Sequence, residues 1–290
     1  MNAFVNHKNL ALSYQYEQLQ TKYESEFRVV WSFMSPIGRP CFNPTLLTNI
    51  TEFENSLMQL KGQYLINGAL EKINYLVFAS DIPGVFNLGG DLQVFHDKIL
   101  ARDRDTLQYY SDMCIGTVWN HLNHYGANVT TISLVEGQAL GGGFEAALSA
   151  DVIVAEKSAK MGLPEIIFNL FPGMGALSLL ARRVGLKKAE EIVLSGKIYT
   201  AEELHAMGVI DILAEDGQGK QQVQDWIAGN SKRRNGYMAV QRSKQLINAI
   251  TYDELKGIGD IWVDAALNLE ARDLRMMNRL IQAQIKMSEA

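Results

Sequence analysis

Cysteine is scarce in this chain: Cys41 and Cys114 are the two present in 290 residues. Two thiols make neither a disulfide framework nor a zinc cluster, which points to a reducing compartment and an expected cytoplasmic location. Positive charge is not in excess either. The 27 Lys+Arg stand against 32 Asp+Glu, a formal net charge of −5, so no global field favours nucleic acid. Long apolar runs are missing as well. The longest uncharged stretch, Ile166 to Ala181, is broken by Pro172, Gly173 and Gly175, whereas a membrane span needs ~20 mostly apolar residues. The start, Met1-Asn2-Ala3-Phe4-Val5-Asn6-His7-Lys8, lacks the basic head and apolar core of a signal peptide. Among five histidines, only His121 and His124 are close enough to share a helix face, and a partly exposed surface pair is the expected reading. No metal site is expected. There is no phosphate-binding P-loop, no Gly-x-Ser-x-Gly elbow and no His-Glu-x-x-His pair.

With 47% hydrophobic residues the chain has ample material for a core, and strand and helix patterns alternate along it. Phe27 to Met34 reads as a strand by its β-branched and aromatic content. Thr45 to Ala69 carries Leu46, Ile50, Phe53, Leu57 and Leu60 at helical spacing, predicting one helix. Tyr75–Ala79 is a short, uncharged apolar run of the kind that fully buried strands show, and Val129–Val135 and Asp151–Ala155 read as further strands. Helices are expected from Gly141 to Ala150, from Pro172 to Val184, over Ala189–Leu194 and over Ala201–Met207. Alternation of this kind predicts an α/β fold. From Gln221 onward the pattern is nearly all helix, with Trp226, Met238, Leu246, Trp262, Leu267 and Leu274 marking apolar faces. The expected division is a core with an N-terminal extension over 1–217 and a C-terminal helical subdomain over 218–290.

Two glycine clusters follow buried strands: Gly89-Gly90 after Tyr75–Ala79, and Gly141-Gly142-Gly143 after Val129–Val135. Glycine there admits positive φ and lets a ligand approach the backbone N–H groups. A helix opening at the second cluster adds its positive end. Two such loops can aim two N–H donors at one oxygen, an oxyanion hole. Taken alone, glycine clusters are more often tight turns that pack helix on sheet. Two glutamates change the balance. Glu145 follows Gly142-Gly143-Phe144, and Glu165 follows Pro164 and precedes Ile166-Ile167-Phe168. A carboxyl in such apolar company is partnered, neutral or functional, and burial raises its pKa toward the range of a general acid or base. The bland alternatives are that Glu145 caps its own helix and that Glu165 bonds a loop backbone.

The run Val135-Glu136-Gly137-Gln138-Ala139-Leu140-Gly141-Gly142-Gly143-Phe144-Glu145 resembles the signature of the enoyl-CoA hydratase/isomerase (crotonase) superfamily. Ala150 to Glu165 continues the pattern, as do Phe171-Pro172-Gly173-Met174-Gly175, Leu194 to Ala201 and Ala206 to Asp211. Phe86-Asn87-Leu88-Gly89-Gly90-Asp91 is similar to the first oxyanion loop of that superfamily. The resemblance implies a crotonase-like spiral of ββα units with a C-terminal helical trimerisation region, hence a homotrimer or a dimer of trimers. It also implies oxyanion donors at Gly90 and Gly142, catalytic carboxyls at Glu145 and Glu165, and substrate contacts at Gly89, Gly141 and Leu140. No cofactor is implied beyond the phosphopantetheine arm of acyl carrier protein or CoA that carries the acyl chain as substrate. Keeping both glutamates argues for adding or removing water across an α,β bond.

Within that superfamily, the N-terminal extension with Trp31 and the segments Gly89–Phe95 and Phe168–Ala176 resemble diffusible signal factor synthases. So does the tail with Trp262 and Arg272-Asp273. That resemblance implies dehydration of a medium-chain 3-hydroxyacyl carrier-protein thioester to a cis-2-enoyl thioester. Hydrolysis to a free cis-2-unsaturated acid, a quorum-sensing signal, would follow, with a regulatory sensor protein left open as a further partner. The alternative is a plain enoyl-CoA hydratase of fatty-acid β-oxidation; a non-catalytic scaffold sits poorly with two retained carboxyls. Leu163 and Phe168–Leu170 depart from typical hydratases and suit either an acyl pocket or ordinary core packing, and Trp262 is a candidate pocket wall. Gly173-Met174-Gly175-Ala176-Leu177-Ser178 comes within one residue of a dinucleotide fingerprint, and a helix start explains it better. Arg182-Arg183, Lys187-Lys188 and Lys232-Arg233-Arg234 offer basic clusters for a carrier protein or CoA phosphates, or are simply solvated.

Overall fold

The computed structural model describes residues 16–288. The Met1–Lys8 start lies outside the described residues. An antiparallel pair, β1 (Leu19–Glu24) and β2 (Val29–Met34), opens the chain. Helix α1 (Pro44–Gln59) begins where the Asn43 side chain accepts the Leu46 N–H and Pro44 presets the first turn. The helix expected to run to Ala69 stops at Gln59. In its place β3 (Gln63–Ile66) and β4 (Ala69–Lys72) form a hairpin that turns at Asn67 and Gly68, with φ of 48° and 83°. Positive φ at both turn positions is the type I′ geometry that an Asn-Gly pair supplies.

Three strand–strand–helix units follow. β5 (Tyr75–Ser80) leads to β6 (Val85–Asn87), α2 (Leu92–Leu100) and α3 (Arg104–Leu122). β7 (Thr130–Val135) leads to β8 (Gln138–Leu140) and α4 (Gly142–Leu148). β9 (Val152–Glu156) leads to β10 (Lys160–Gly162), the 3-10 turn Pro164–Phe168, α5 (Ala176–Val184) and α6 (Leu186–Ser195). β11 (Ile198–Thr200), α7 (Ala201–Ala206) and β12 (Ile212–Ala214) complete this part of the fold. The first strand of each unit enters a six-stranded sheet of order β1-β2-β5-β7-β9-β12, parallel from β2 onward. The second enters a four-stranded sheet of order β11-β10-β8-β6. This is the ββα spiral that the resemblance implied.

Strands β5, β7 and β9 are covered on both faces, which is why β5 reads as an apolar run and why even the Thr and Ser side chains of β7 are buried. Leu76, Val135 and Ile153 enter the larger core, while Val77, Ile132, Leu134 and Val154 face a smaller one. That smaller core is closed by Val223 and Ile227 of α8 (Gly219–Ser231). The remaining helices are α9 (Arg234–Ile247), α10 (Tyr252–Leu267) and α11 (Ala271–Ser288). α10 packs on α3, and α11 lies across α2 and the 3-10 turn. Among the described residues no helix is long and apolar enough to cross a membrane.

The histidine pair departs from expectation, for both rings are buried. His121 Nδ1 lies 2.7 Å from Ser149 Oγ, and His124 Nε2 lies 3.0 Å from Asp151 Oδ1. α3 is pressed between α1 and α10, so a face that sequence assigns to solvent is covered by the chain around the end of α4.

Candidate active site

The parallel pairing of β6 with β8 brings the two glycine loops side by side at the ends of these strands. On the β6 side, Asn87 Oδ1 accepts the Gly89 N–H at 2.8 Å. Asp91 caps α2 through Gln93 and Val94 and accepts a 2.6 Å bond from Arg39 Nη2. The Tyr110 hydroxyl accepts the Asp91 N–H at 3.0 Å and donates to the Phe42 carbonyl. Gly90 is therefore anchored on both sides. Its own N–H has no protein acceptor among the described residues.

On the β8 side the chain turns at Gly141, with φ +52°, and α4 begins at Gly142. As the first residue of the helix, Gly142 has no intrahelical acceptor for its N–H, and no other protein acceptor is present among the described residues. The two loops touch: a Cβ built on Gly142 would lie 3.5 Å from Gly90 N and 2.7 Å from Met174 Sδ. Two unengaged backbone donors thus sit together at one end of a cavity, the arrangement an oxyanion hole requires.

Glu145 lies in the first turn of α4 and is almost completely buried. It does not cap its own helix. Its Oε1 accepts the N–H groups of Met174 and Ala176, each at 2.8 Å. Ala176 opens α5, whose own cap position, Gly175, has no side chain. Glu145 therefore supplies from a distance the acceptor that α5 lacks. The same two bonds occupy N–H groups of the run that approached a dinucleotide fingerprint. Burial raises the Glu145 pKa above the ordinary carboxyl range, and the two backbone donors oppose that rise in part.

Glu165 comes from the 3-10 turn and points its carboxyl at Gly141; a Cβ there would meet Oε1 at 2.5 Å. Its Oε2 is buried without a hydrogen-bond partner. The pKa is raised, first by burial and then by repulsion from Glu145. Two carboxyls that repel one another in a dry site hold protons well above the usual range, which is the condition for acid and base duty near neutrality.

The carboxyls and the glycine loops open onto one cavity of about 180 Å³. Its lining includes Gly89, Gly90, Leu140, Gly141, Gly142, Glu145, Glu165 and Trp262, all singled out from sequence. Leu163 is absent from the lining and fully buried in the core. It precedes the 3-10 turn and faces inward while Pro164 and Glu165 face the cavity. Of the Phe168–Leu170 segment, Phe168 and Leu170 line the cavity. Asn169 points instead to α11, donating to Asp273 Oδ2 at 3.2 Å. The Trp262 ring packs edge-on against Phe95 at 4.8 Å, and Phe95 against Tyr110 at 4.9 Å.

Sequence reasoning missed Phe95, Tyr110, Cys114 and Met174, and from α11 Leu280 and Gln284. Phe95 and Met174 lie within motif runs quoted from sequence but carried no role of their own there; nothing local marks the others, because each lies far along the chain from the glutamates. Cys114 remains a protonated thiol, its pKa pushed well up by burial and then by the nearby Glu145. The basic clusters are largely engaged internally. Arg182 pairs with Glu254, Arg183 with Asp211, Lys187 with Glu190 and Lys188 with Glu191. Arg234 donates to the carbonyls of Asn74 and Asn128.

The family model described as Enoyl-CoA hydratase/isomerase matches residues 39–283, a span that contains both glycine loops and both glutamates. The chain belongs to the enoyl-CoA hydratase/isomerase family. Among curated relatives, mitochondrial methylglutaconyl-CoA hydratase of Mus musculus is 33% identical over 148 residues, covering 51% of this chain and 45% of that protein. The chain thus spans about half the length of the curated relatives it matches. Among solved structures, enoyl-CoA hydratase from Bacillus halodurans superposes with a TM-score of 0.71 at 20% identity, covering 91% of this chain and all of that one. DspI of Pseudomonas aeruginosa gives a TM-score of 0.64 at 21% identity, covering 79% and 86%. At these identities the structural likeness speaks for the enoyl-CoA hydratase/isomerase fold.

Proposed function

We propose that this chain dehydrates a medium-chain 3-hydroxyacyl thioester, carried by acyl carrier protein, to a cis-2-enoyl thioester and then hydrolyses it to the free cis-2-unsaturated acid. The observation that carries the reading is the pair of buried carboxyls, Glu145 and Glu165, facing two unengaged N–H groups across an apolar cavity. In the first step the thioester carbonyl accepts the Gly90 and Gly142 N–H groups. One carboxylate takes the C2 proton, the enolate forms, and the other carboxyl protonates the departing 3-hydroxyl as water. In the second step a carboxylate takes a proton from water as its oxygen adds to the same carbonyl. The tetrahedral oxyanion sits in the same hole, and its collapse expels the thiolate, which takes up the proton. One water leaves and one is consumed, so the products are one enoic acid and one thiol. The sequence resemblance of Gly89–Phe95 and Phe168–Ala176 to diffusible signal factor synthases supports the second step.

A second reading, reversible hydration of an enoyl-CoA, is favoured by the names of the curated relatives, several of which are CoA hydratases. Incubating the purified protein with a medium-chain 3-hydroxyacyl carrier protein separates the two. Thiol release would be followed and the lipid identified by mass spectrometry against cis and trans standards. Free cis-2-enoic acid is expected. An enoyl thioester without free acid, together with ready turnover of short enoyl-CoA, would establish the hydratase instead.

A further inference from the structure

The inward stripe of α11 consists of Leu274, Met277 and Ile281, all buried. Their spacing of three and four residues makes Gln284 the next inward position. At that position an apolar side chain is the rule, and glutamine breaks it. Gln284 lines the active-site cavity together with Leu280, one turn earlier on the same helix. Its Oε1 is buried with no hydrogen-bond partner.

Most of the cavity wall around it is hydrocarbon: Leu92, Phe95, Phe168, Leu170 and Trp262. Only one other side-chain oxygen of the lining is buried without a partner among the described residues, Oε2 of Glu165. The proposed proton transfers account for that oxygen. They do not account for Gln284. A buried amide oxygen left unpaired costs free energy unless a ligand or water supplies the donor. α11 is joined to the Glu165 loop through the Asn169–Asp273 bond and packs on the 3-10 turn and on α2, so the carboxamide is presented by a helix held against the cavity. It carries no charge at any working pH, and it can bind a hydroxyl without altering the proton inventory of the glutamates.

We propose that Gln284 is a specificity-determining residue whose carboxamide oxygen accepts a hydrogen bond from the hydroxyl of a 3-hydroxyacyl chain. It thereby favours that chain over the saturated chain of equal length. The identity of the hydroxyl rests on the acyl-thioester reading above and holds for its dehydratase and hydratase forms alike.

The test compares two stable CoA analogues of equal chain length in which carbon replaces the thioester sulfur, one 3-hydroxylated and one saturated. Their binding to the full chain would be measured by calorimetry. Wild type is expected to prefer the hydroxylated analogue. Gln284→Met, close in volume but without the amide, is expected to reduce that preference about tenfold while holding the saturated analogue at least as well. Gln284→Glu, which keeps an acceptor oxygen, is expected to retain most of it. A preference untouched in Gln284→Met, or equal weakening of both analogues, overturns the assignment while leaving the function standing. Failure of wild type to bind either analogue, offered both as the CoA derivative and on the phosphopantetheine arm of acyl carrier protein, overturns both.

Discussion

The carboxyl of Glu165 occupies the space where a side chain on Gly141 would begin: a Cβ there would lie 2.5 Å from Oε1. Gly141 also has φ +52°, a conformation that L residues adopt at a cost. Gly141→Ala is therefore expected to displace the carboxyl and to lower kcat by at least ~100-fold, the scale of a mispositioned acid or base. KM should change far less. Steady-state kinetics with a 3-hydroxyacyl or enoyl thioester checks this, and an unchanged kcat would count against Glu165.

The two glutamates differ in structural duty, so their variants should separate. Glu145→Gln and Glu165→Gln are each expected to lower turnover by ~10²–10⁴-fold. Glu145→Gln keeps an oxygen for the Met174 and Ala176 N–H groups and should melt within a few degrees of wild type. Glu145→Ala orphans both donors, at ~1–3 kcal/mol each. Calorimetric melting of the three variants beside their kcat values tests this ordering. Full activity in both glutamine variants would defeat the mechanism.

Burial raises both carboxyl pKa values, and Glu145 raises Glu165 further. In the proposed mechanism the pair works with one carboxyl ionised and one protonated, so activity against pH should be bell-shaped. The acid limb marks protonation of the second carboxyl, and the alkaline limb marks loss of the last proton, above the ordinary carboxyl range. Both limbs belong to the pair. In either single glutamine variant one titrating carboxyl remains, so the residual activity should keep one limb and lose the other. A profile flat from pH 5 to 9 would contradict the shared-proton arrangement.

His121 is buried and its pKa is lowered from 6.5 to about 4, chiefly by burial. The folded state thus holds the ring neutral where the unfolded chain would protonate it. Stability from this group is intact above pH 6.5 and is lost as the pH falls toward 4, by about 3 kcal/mol in all. Glu54, across the same small cavity, has a raised pKa from burial and contributes the opposite slope, losing stability as pH rises. Subtracting the Tm–pH curve of His121→Gln from that of wild type isolates the histidine. A difference curve without slope below pH 6.5 would refute the assignment.

Trp262 and Phe95 share an edge-on contact at 4.8 Å on the cavity wall. Replacing the indole by leucine opens that wall. Trp262→Leu is expected to raise kcat/KM for acyl chains a few carbons longer, relative to the preferred one, by roughly tenfold. The Tm should fall with the loss of buried ring area. A chain-length series on both proteins would show whether the preference moves.

Local pattern sufficed wherever a residue's role depends on its chain neighbours. β5 read as an uncharged apolar run because both its faces are covered, and the two glycine loops stood out because turns after strands demand that residue. The helix expected from Thr45 to Ala69 ends at Gln59 because Lys61 and Gly62 take positive φ, and Asn67-Gly68 then turns the hairpin, two local signals that the apolar spacing through Leu60 concealed. Glu145 and Glu165 were legible as carboxyls in apolar surroundings, and family motifs placed them with Gly90 and Gly142. Their partners were not. Glu145 capping α5 rather than its own helix, Leu163 turning into the core and His121 buried at the end of α4 each join segments remote in sequence. So do Phe95, Trp262 and Gln284 meeting in one wall. Periodicity reports which face of an element is apolar, but it carries no record of what covers that face. Sequence by itself determined the alternating fold, the two glycine loops and the two acidic groups. Tertiary packing alone decided which donors the acids meet, how far burial lifts their protons and which side chains close the cavity, because desolvation and hydrogen bonding depend on proximity in space.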